Sequence, residues 1–373
     1  WLPVRDKYGK YTTNLTSQSE NSYFGLEGMS NPVMILDLQK RMRYNTQIFG
    51  NAALTFHLAD GLDLKTQFGV DSHNTTYRGY SSIELNNISM PNGWAEYQNW
   101  NTFYWQEETY LTYNKVFGDH RLNAMAGLSW QERTQRWDKS YTQGFSDDFY
   151  ENNNMSVGTL PNAPESSWTR WAMNSYFLRF AYTYKDRYLL TATLRADGAS
   201  NFAKNNRWGY FPSVSAGWTI SNEPFLKDAL ENIATVRIRA SWGKSGNNDI
   251  GNYSSIAGIS TGSYAFGTTA VSTSRLGGFA DSELGWETTT QTNIGLDLGF
   301  FNSRLNVIAN YYNSISTDIL YNAPISAISG FTSSTTNMTD AKIRNRGFDL
   351  QIDARLLTGK VKWNVSTNIS INR

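Results

Sequence analysis

The sequence predicts an all-β chain: an antiparallel transmembrane β-barrel, of which about 12 strands in six hairpins are present. Three observations predict it. Polar and apolar residues alternate with period two in long runs. Connections after odd strands are short, whereas those after even strands run from about a dozen to about 40 residues, the asymmetry of outer-membrane barrels. Aromatic residues make up 14% of the 373, with 13 Trp and 22 Tyr, yet charged residues are only 17%. A chain whose alternate residues face lipid and a wet lumen has that composition.

Residues 1–40 are polar and irregular, broken by Gly9, Gly25, Gly28 and Pro32, and read as an extracellular loop. The first hairpin carries Ile48, Ala52, Leu54, Phe56 and Leu58 against Gln47, Asn51, Thr55 and His57. It turns at Asp60-Gly61 and returns with Leu62, Leu64, Thr66, Phe68 and Val70. A polar loop, 72–99, precedes the second hairpin, 102–137, which turns at Gly118-Asp119-His120 and shows Leu122, Ala124, Ala126, Leu128 and Trp130 on one face. Another loop, 139–172, leads to the third, turning at Lys185-Asp186-Arg187 between Tyr176, Leu178, Phe180, Tyr182 and Tyr188, Leu190, Ala192, Leu194.

The fourth hairpin pairs Val214, Ala216, Trp218 and Ile220 with Val236, Ile238, Ala240 and Trp242, and the spacing within Pro224 to Ile233 predicts a short helix between them. Beyond a loop at 246–285, the fifth is the clearest. Thr292, Ile294, Leu296, Leu298 and Phe300 alternate with Asn293, Gly295, Asp297 and Gly299, then Leu305, Val307, Ala309 and Tyr311 with Asn306 and Asn310. The sixth joins 347–357 to 361–371 at Thr358-Gly359-Lys360, its second arm showing Val361, Trp363, Val365 and Ile369 on one face. Strands of about 9 to 11 residues cross a tilted bilayer, and lipid demands closure because it cannot satisfy an open edge. The beginning at Trp1 and the end within a strand-like run lead us to expect a fragment.

Several chemistries find no support. No run reaches the roughly 18 apolar residues of a membrane helix. Cys is absent, and His57, His73 and His120 lie far apart, so neither a zinc nor a redox-metal site can be built. No nucleophile elbow or comparable arrangement is present, and we expect no enzyme, no catalytic residue and no cofactor. Asp147-Asp148 and Asn247-Asn248-Asp249 offer oxygen to a hard cation or are simply solvated loop polarity. Gly243-Lys244-Ser245-Gly246 lacks the order of a phosphate loop and reads as a turn ending a strand. A net charge of +1 with scattered Lys and Arg excludes a nucleic-acid surface.

The strand tryptophans Trp130, Trp218, Trp242 and Trp363 share the apolar face with Leu296 and Val307. In a barrel they form a lipid face and aromatic belt; in a soluble protein they are core. Trp94, Tyr97, Trp100, Trp168, Trp171 and Tyr264 fall in segments read as long loops. They either stack on a sugar or peptide ligand or fold back onto a plug or lid.

Four runs also resemble a known family: LRADGASNFAKNNRWGYFPSVSAGWTISNEPFL from Leu194, IRASWGKSGNNDIGNY from Ile238, LGWETTTQTNIGLDLGFFNSRLNVIANYYN from Leu284, and IRNRGFDLQIDARL from Ile343. They resemble the SusC/RagA-type TonB-dependent outer-membrane transporters. The resemblance implies a barrel of about 22 strands with an N-terminal plug, this chain being its middle and later part, without the plug. It further implies import of a glycan or peptide oligomer across the outer membrane of a Gram-negative bacterium, a SusD-like lipoprotein lid and energy from a TonB complex. A passive porin and a soluble, aromatic-rich binding protein are the alternative readings.

Overall fold

Wherever polar and apolar residues alternate, the chain runs extended, and it reverses at residues able to take positive φ. The structure, a computed structural model, describes residues 4, 5, 7–9, 11, 32–85, 92–230 and 233–373. Helix α1 (Pro32–Leu38) precedes β1 (Gln39–Ala59), β2 (Leu62–Ser81), β3 (Trp94–Phe117), β4 (His120–Gln143), the short β5 (Leu160–Pro161), β6 (Glu165–Tyr184), β7 (Tyr188–Ala199) and β8 (Trp208–Thr219). Helix α2 (Pro224–Leu230) then leads to β9 (Ala234–Asn247), β10 (Ile259–Phe266), β11 (Thr269–Leu276), β12 (Glu287–Phe300), β13 (Leu305–Thr317), β14 (Ile319–Pro324), β15 (Ser333–Met338), β16 (Ile343–Thr358) and β17 (Lys362–Asn372).

One sheet takes the long strands in the order β1-β2-β3-β4-β6-β7-β8-β9-β12-β13-β16-β17, with β5 beside β4; β10-β11 and β14-β15 are separate two-stranded sheets. All six expected hairpins are therefore neighbours in that order. Their turns use the expected chemistry. Lys185 and Asp186 both take positive φ, the backbone of a turn whose twist matches its strands. Gly61, at φ +75°, leaves room where a Cβ would stand 2.0 Å from the Asn114 carbonyl oxygen, while its own carbonyl accepts from the Asn114 N–H at 2.7 Å. No other residue type fits that position.

The chain divides into two compact units, residues 1–50 with 69–105 and 133–170, and residues 51–68 with 106–132 and 171–373. The first is centred on Tyr80, Ala95 and Phe145, packed by Ile83 and Met155. In the second, register lines up apolar side chains across eight strands. Ile294 aligns with Tyr311, Tyr311 with Phe348 and Phe348 with Ile371. Leu296 aligns with Ala309, Leu350 and Ile369 on one side, and with Ile238, Trp218, Tyr188 and Tyr184 on the other. This face has no second layer: Ile294, Tyr311, Phe348 and Ile371 are 55%, 44%, 42% and 66% exposed. Contiguous apolar surface on that scale marks a membrane or partner face, since in water each Å² costs about 25 cal/mol. The opposite face carries Arg195, Ser241, Asn293, Asp297 and Asn310, joined by hydrogen bonds. Among the described residues no helix is long and apolar enough to cross a membrane.

Strands run further than alternation suggested. β2 continues to Ser81, β3 begins at Trp94, β4 ends at Gln143 and β6 begins at Glu165, all inside segments expected as loops. The backbone ladder holds a strand together whether or not its faces segregate. The loop expected at 246–285 contains β10-β11, the connection between the fifth and sixth hairpins contains β14-β15, and residues 243–246 are strand, not turn. The predicted helix is found at Pro224–Leu230. Within the segment expected as an extracellular loop, 32–38 are helical and β1 starts at Gln39; 12–31 lie outside the described residues.

Candidate functional site

Loop knots, a polar wall and an aromatic ladder make up the candidate site. The knot of the second unit is built by the sequence runs quoted above. Phe202 and Leu284 are fully buried with Ala199. Trp286 packs on Phe202 and Phe211, ring centroids 5.0 and 5.2 Å apart, and its indole N–H donates to the Arg207 carbonyl at 2.8 Å. Asn206 Nδ2 donates to the Glu283 carbonyl at 2.6 Å and Asn201 Nδ2 to that of Asn248 at 2.8 Å. Asn337 Nδ2 donates to the carbonyls of Gly285 and Asp318. Four segments far apart in sequence are thus fastened over the ends of β7, β8, β9, β12 and β14.

In the first unit Asp148 is the fastener. It accepts from the Tyr80 hydroxyl at 2.6 Å, the Ser82 hydroxyl at 2.6 Å and the Ile83 N–H at 3.0 Å. Burial alone lifts a carboxyl pKa, but donation by Ser82, Tyr80 and Ile83, with the Lys40 charge nearby, outweighs it and holds Asp148 below its ordinary value. A depressed pKa contributes stability in full above the unfolded value and loses it as pH falls through the folded one. Asp148→Asn is accordingly expected to lower the protection of the Ile83 amide, its exchange measured against the intrinsic rate at the same pH, on the order of tenfold, and acid below about pH 4 to lower it likewise in the unsubstituted protein. Equal exchange in both proteins from neutral pH to acid would refute this fastening. Asp148 is held by three donors from within the chain rather than lying free for a cation, and among the described residues no three His, Asp or Glu side chains gather as a metal site.

The polar wall of the second unit carries two fixed ion pairs. Arg195 Nε donates to both Asp197 oxygens at 2.8 Å, and its Nη2 to the Ser175 hydroxyl at 2.9 Å. Arg239 reaches Asp297 through Nε and Nη2 at 2.8 and 2.7 Å and Asn310 Oδ1 at 3.0 Å. Gly295 lies beneath, where a Cβ would stand 2.9 Å from the guanidinium carbon. This pair was hidden in the sequence because β9 and β12 are separated by a long loop. The period-two run Arg237, Arg239, Ser241 was its only signal.

At the short-turn end an aromatic ladder crosses five strands on the apolar face. Phe117 stacks on His120 at 5.0 Å, His120 on Tyr184 at 4.8 Å, Tyr184 on Tyr188 at 6.3 Å and Tyr188 on Trp218 at 6.5 Å. His120, read as a turn residue, is a rung of this ladder and bonds the Tyr182 hydroxyl at 2.6 Å. The buried Glu223 closes it, accepting from the Trp218 indole at 2.9 Å and pairing with Arg187 at 3.4 Å. Donation by Tyr188 and then Trp218 holds its carboxyl below the ordinary value.

The expected site residues divide. Trp130, Trp218, Trp242 and Trp363 are exposed strand residues, and Leu296 and Val307 are half-buried among their cross-strand neighbours. Trp242 aligns with Val214 on one side and with Thr292 on the other, about four residues or about 13 Å along from the Trp218 row, and Thr292 and Asn313 continue its row with polar side chains. None of the six loop aromatics is in a loop. Trp94, Tyr97 and Trp100 belong to β3, Trp168 and Trp171 to β6, and Tyr264 to β10. Trp94 is buried, packed on Tyr141 at 6.1 Å with Arg41 over its ring, which removes it from any open binding surface. Trp168 and Tyr264 are exposed, and Tyr264 packs on Phe266 at 4.8 Å.

The profile described as "TonB dependent receptor-like, beta-barrel" matches residues 3–372. TonB-dependent receptor P3 of Formosa agariphila is 31% identical over the whole chain and 36% of its own length. TonB-dependent receptor SusC of Bacteroides thetaiotaomicron is 31% identical over 97% of the chain and 35% of its length. Among solved structures, that of the RagAB peptide transporter superposes with a TM-score of 0.84 at 26% identity, over 92% of this chain and 38% of the other. The chain thus spans about a third of the length of the curated relatives it matches.

Proposed function

The chain belongs to the TonB-dependent receptor-like β-barrel family and is of SusC/RagA type, and from that premise we propose that the whole protein imports an oligomeric nutrient, glycan or peptide, across the outer membrane of a Gram-negative bacterium. The continuous exposed apolar face of β6 to β17 carries this reading, because membership in a barrel family gives that face a lipid partner and the Arg239-Asp297 wall a wet lumen. Trp218 with its ladder then lies at the headgroup margin. The loop knots hold the solute-facing rim, a SusD-like lipoprotein lid covers it, and a TonB complex acting on parts of the protein beyond this chain supplies force.

The β10-β11 hairpin suits lid or ligand contact: Ile259, Tyr264, Phe266 and Leu276 are exposed on a two-stranded sheet standing apart from the main one. Replacing 259–276 with a short Gly-Ser linker in the whole protein should leave heat-modifiable barrel assembly intact while lowering uptake of the cognate oligomer about tenfold or more, on the order of 1.4 kcal/mol. Uptake is read with panels of labelled oligosaccharides and oligopeptides in cells. If deleting the whole gene changes uptake of neither panel, or if the protein fractionates away from the outer membrane, the import reading fails.

A further inference from the structure

The polar wall carries its arginines on β6 to β9 and its acids Asp297, Asp349 and Asp353 on β12 and β16. Across β6 to β9 it presents Arg179, Arg195, Arg237 and Arg239, and among the described residues its ion pairs engage Arg195, with Asp197, and Arg239, with Asp297. Glu287, at the outer end of β12, is held by the Leu320 N–H. Arg237 stands opposite Asp297 in register, but both Asp297 oxygens accept from Arg239. Its partner is instead a neutral group, the Thr219 hydroxyl, which accepts from Nε at 3.3 Å.

Arg237 borders a hollow of about 280 Å³ in this wall, lined also by Leu189, Thr191, Ser215, Arg239 and Asn293. Gly217 and Gly295 form its floor. Gly295 is explained by Arg239 lying over it. Gly217 is not, because a Cβ there would meet the Leu189 side chain at 3.6 and 3.7 Å and the Ile238 carbonyl oxygen at 3.9 Å, all ordinary contacts. A glycine within a strand weakens it and marks a place where something approaches closely. From the uncommitted guanidinium, the hydroxyls of Thr191 and Ser215 beside it and the open floor, we infer that this hollow binds a carboxylate of a solute inside the lumen. A planar guanidinium matches a carboxylate through two parallel N–H donors.

The inference rests on the import reading for the side from which the ligand arrives, and its test is binding without transport. Full-length protein in detergent is titrated with fluorescent triglutamate and triglutamine. Triglutamate should bind about tenfold tighter, and less so as salt rises. Arg237→Gln should abolish the preference and Arg237→Lys keep part of it. Gly217→Leu, which fills the hollow from its floor, should weaken triglutamate about as much as Arg237→Gln while heat-modifiable mobility shows the barrel folded. Equal affinity for the two peptides, a preference that survives both Arg237→Gln and Gly217→Leu, or displacement of triglutamate by an equimolar amount of inorganic phosphate would overturn the assignment. A protein that binds triglutamate through Arg237 yet imports nothing would keep this site and remove the import reading.

Discussion

Leu296→Arg is expected to block assembly of the barrel, whereas Asp297→Asn, one residue along, leaves it largely formed. Leu296 lies in the row Trp218-Ile238-Leu296-Ala309-Leu350, amid side chains with no covering layer. An Arg on the lipid side of a barrel costs up to about 2–4 kcal/mol, in full at the bilayer midplane and less toward the headgroup margin, where the Trp218 end of this row lies. Asp297 faces the other way and pairs with a partly exposed Arg239. Losing a partly solvated ion pair costs only about 0–1 kcal/mol, and the amide oxygen that replaces the carboxylate can still accept from the guanidinium. The comparison is made on the whole protein by the fraction that shifts mobility on heating. Equal loss in the two variants would mean that the facing assigned to β12 is wrong.

Phe202→Ala is expected to undo the knot of the second unit without unfolding the sheet. Phe202 is fully buried with Leu284 and under the Trp286 ring, so truncation leaves a cavity that the fixed strand ends on either side cannot close. Removing a buried Phe costs about 3–5 kcal/mol, more than the surrounding loop bonds supply singly. Hydrogen exchange should rise most at the Ala203 amide, which donates to the Leu284 carbonyl at 3.0 Å, and Trp286 fluorescence should shift to the red. Phe202→Leu, closer in volume, should show less than half the effect. Should the amides of β7 and β8 exchange as fast as Ala203, the knot is not a separate cooperative unit and the prediction fails.

The two experiments probe features of unlike legibility. The facing of Leu296 and Asp297 was readable from the chain alone, because a strand between two media must sort its residues by parity. Where β3 and β6 run past the apolar rows, that sorting lapses. WAEYQNW at 94–100 shows no alternation, yet its backbone continues the ladder. Trp94, Tyr97, Trp100, Trp168 and Trp171 therefore read as loop residues, and Tyr264 sits on a hairpin whose two strands are exposed at every position but Ser260. Parity puts Trp242 on the apolar face, but its height on that face depends on pairing with Val214 and Thr292, which parity does not encode.

Local rules therefore determined much from sequence alone: the six hairpins, their turns, the short helix at Pro224 and which side of each strand is apolar. Each depends on residues within a few positions of one another, through side-chain period or turn backbone. Tertiary structure decided what those faces meet. Arg239 finds Asp297 across 58 residues, Trp286 finds the Arg207 carbonyl across 79, and Asp148 finds Tyr80 across 68. Such partners are selected by strand order and register, which bring distant segments side by side only once the sheet has formed.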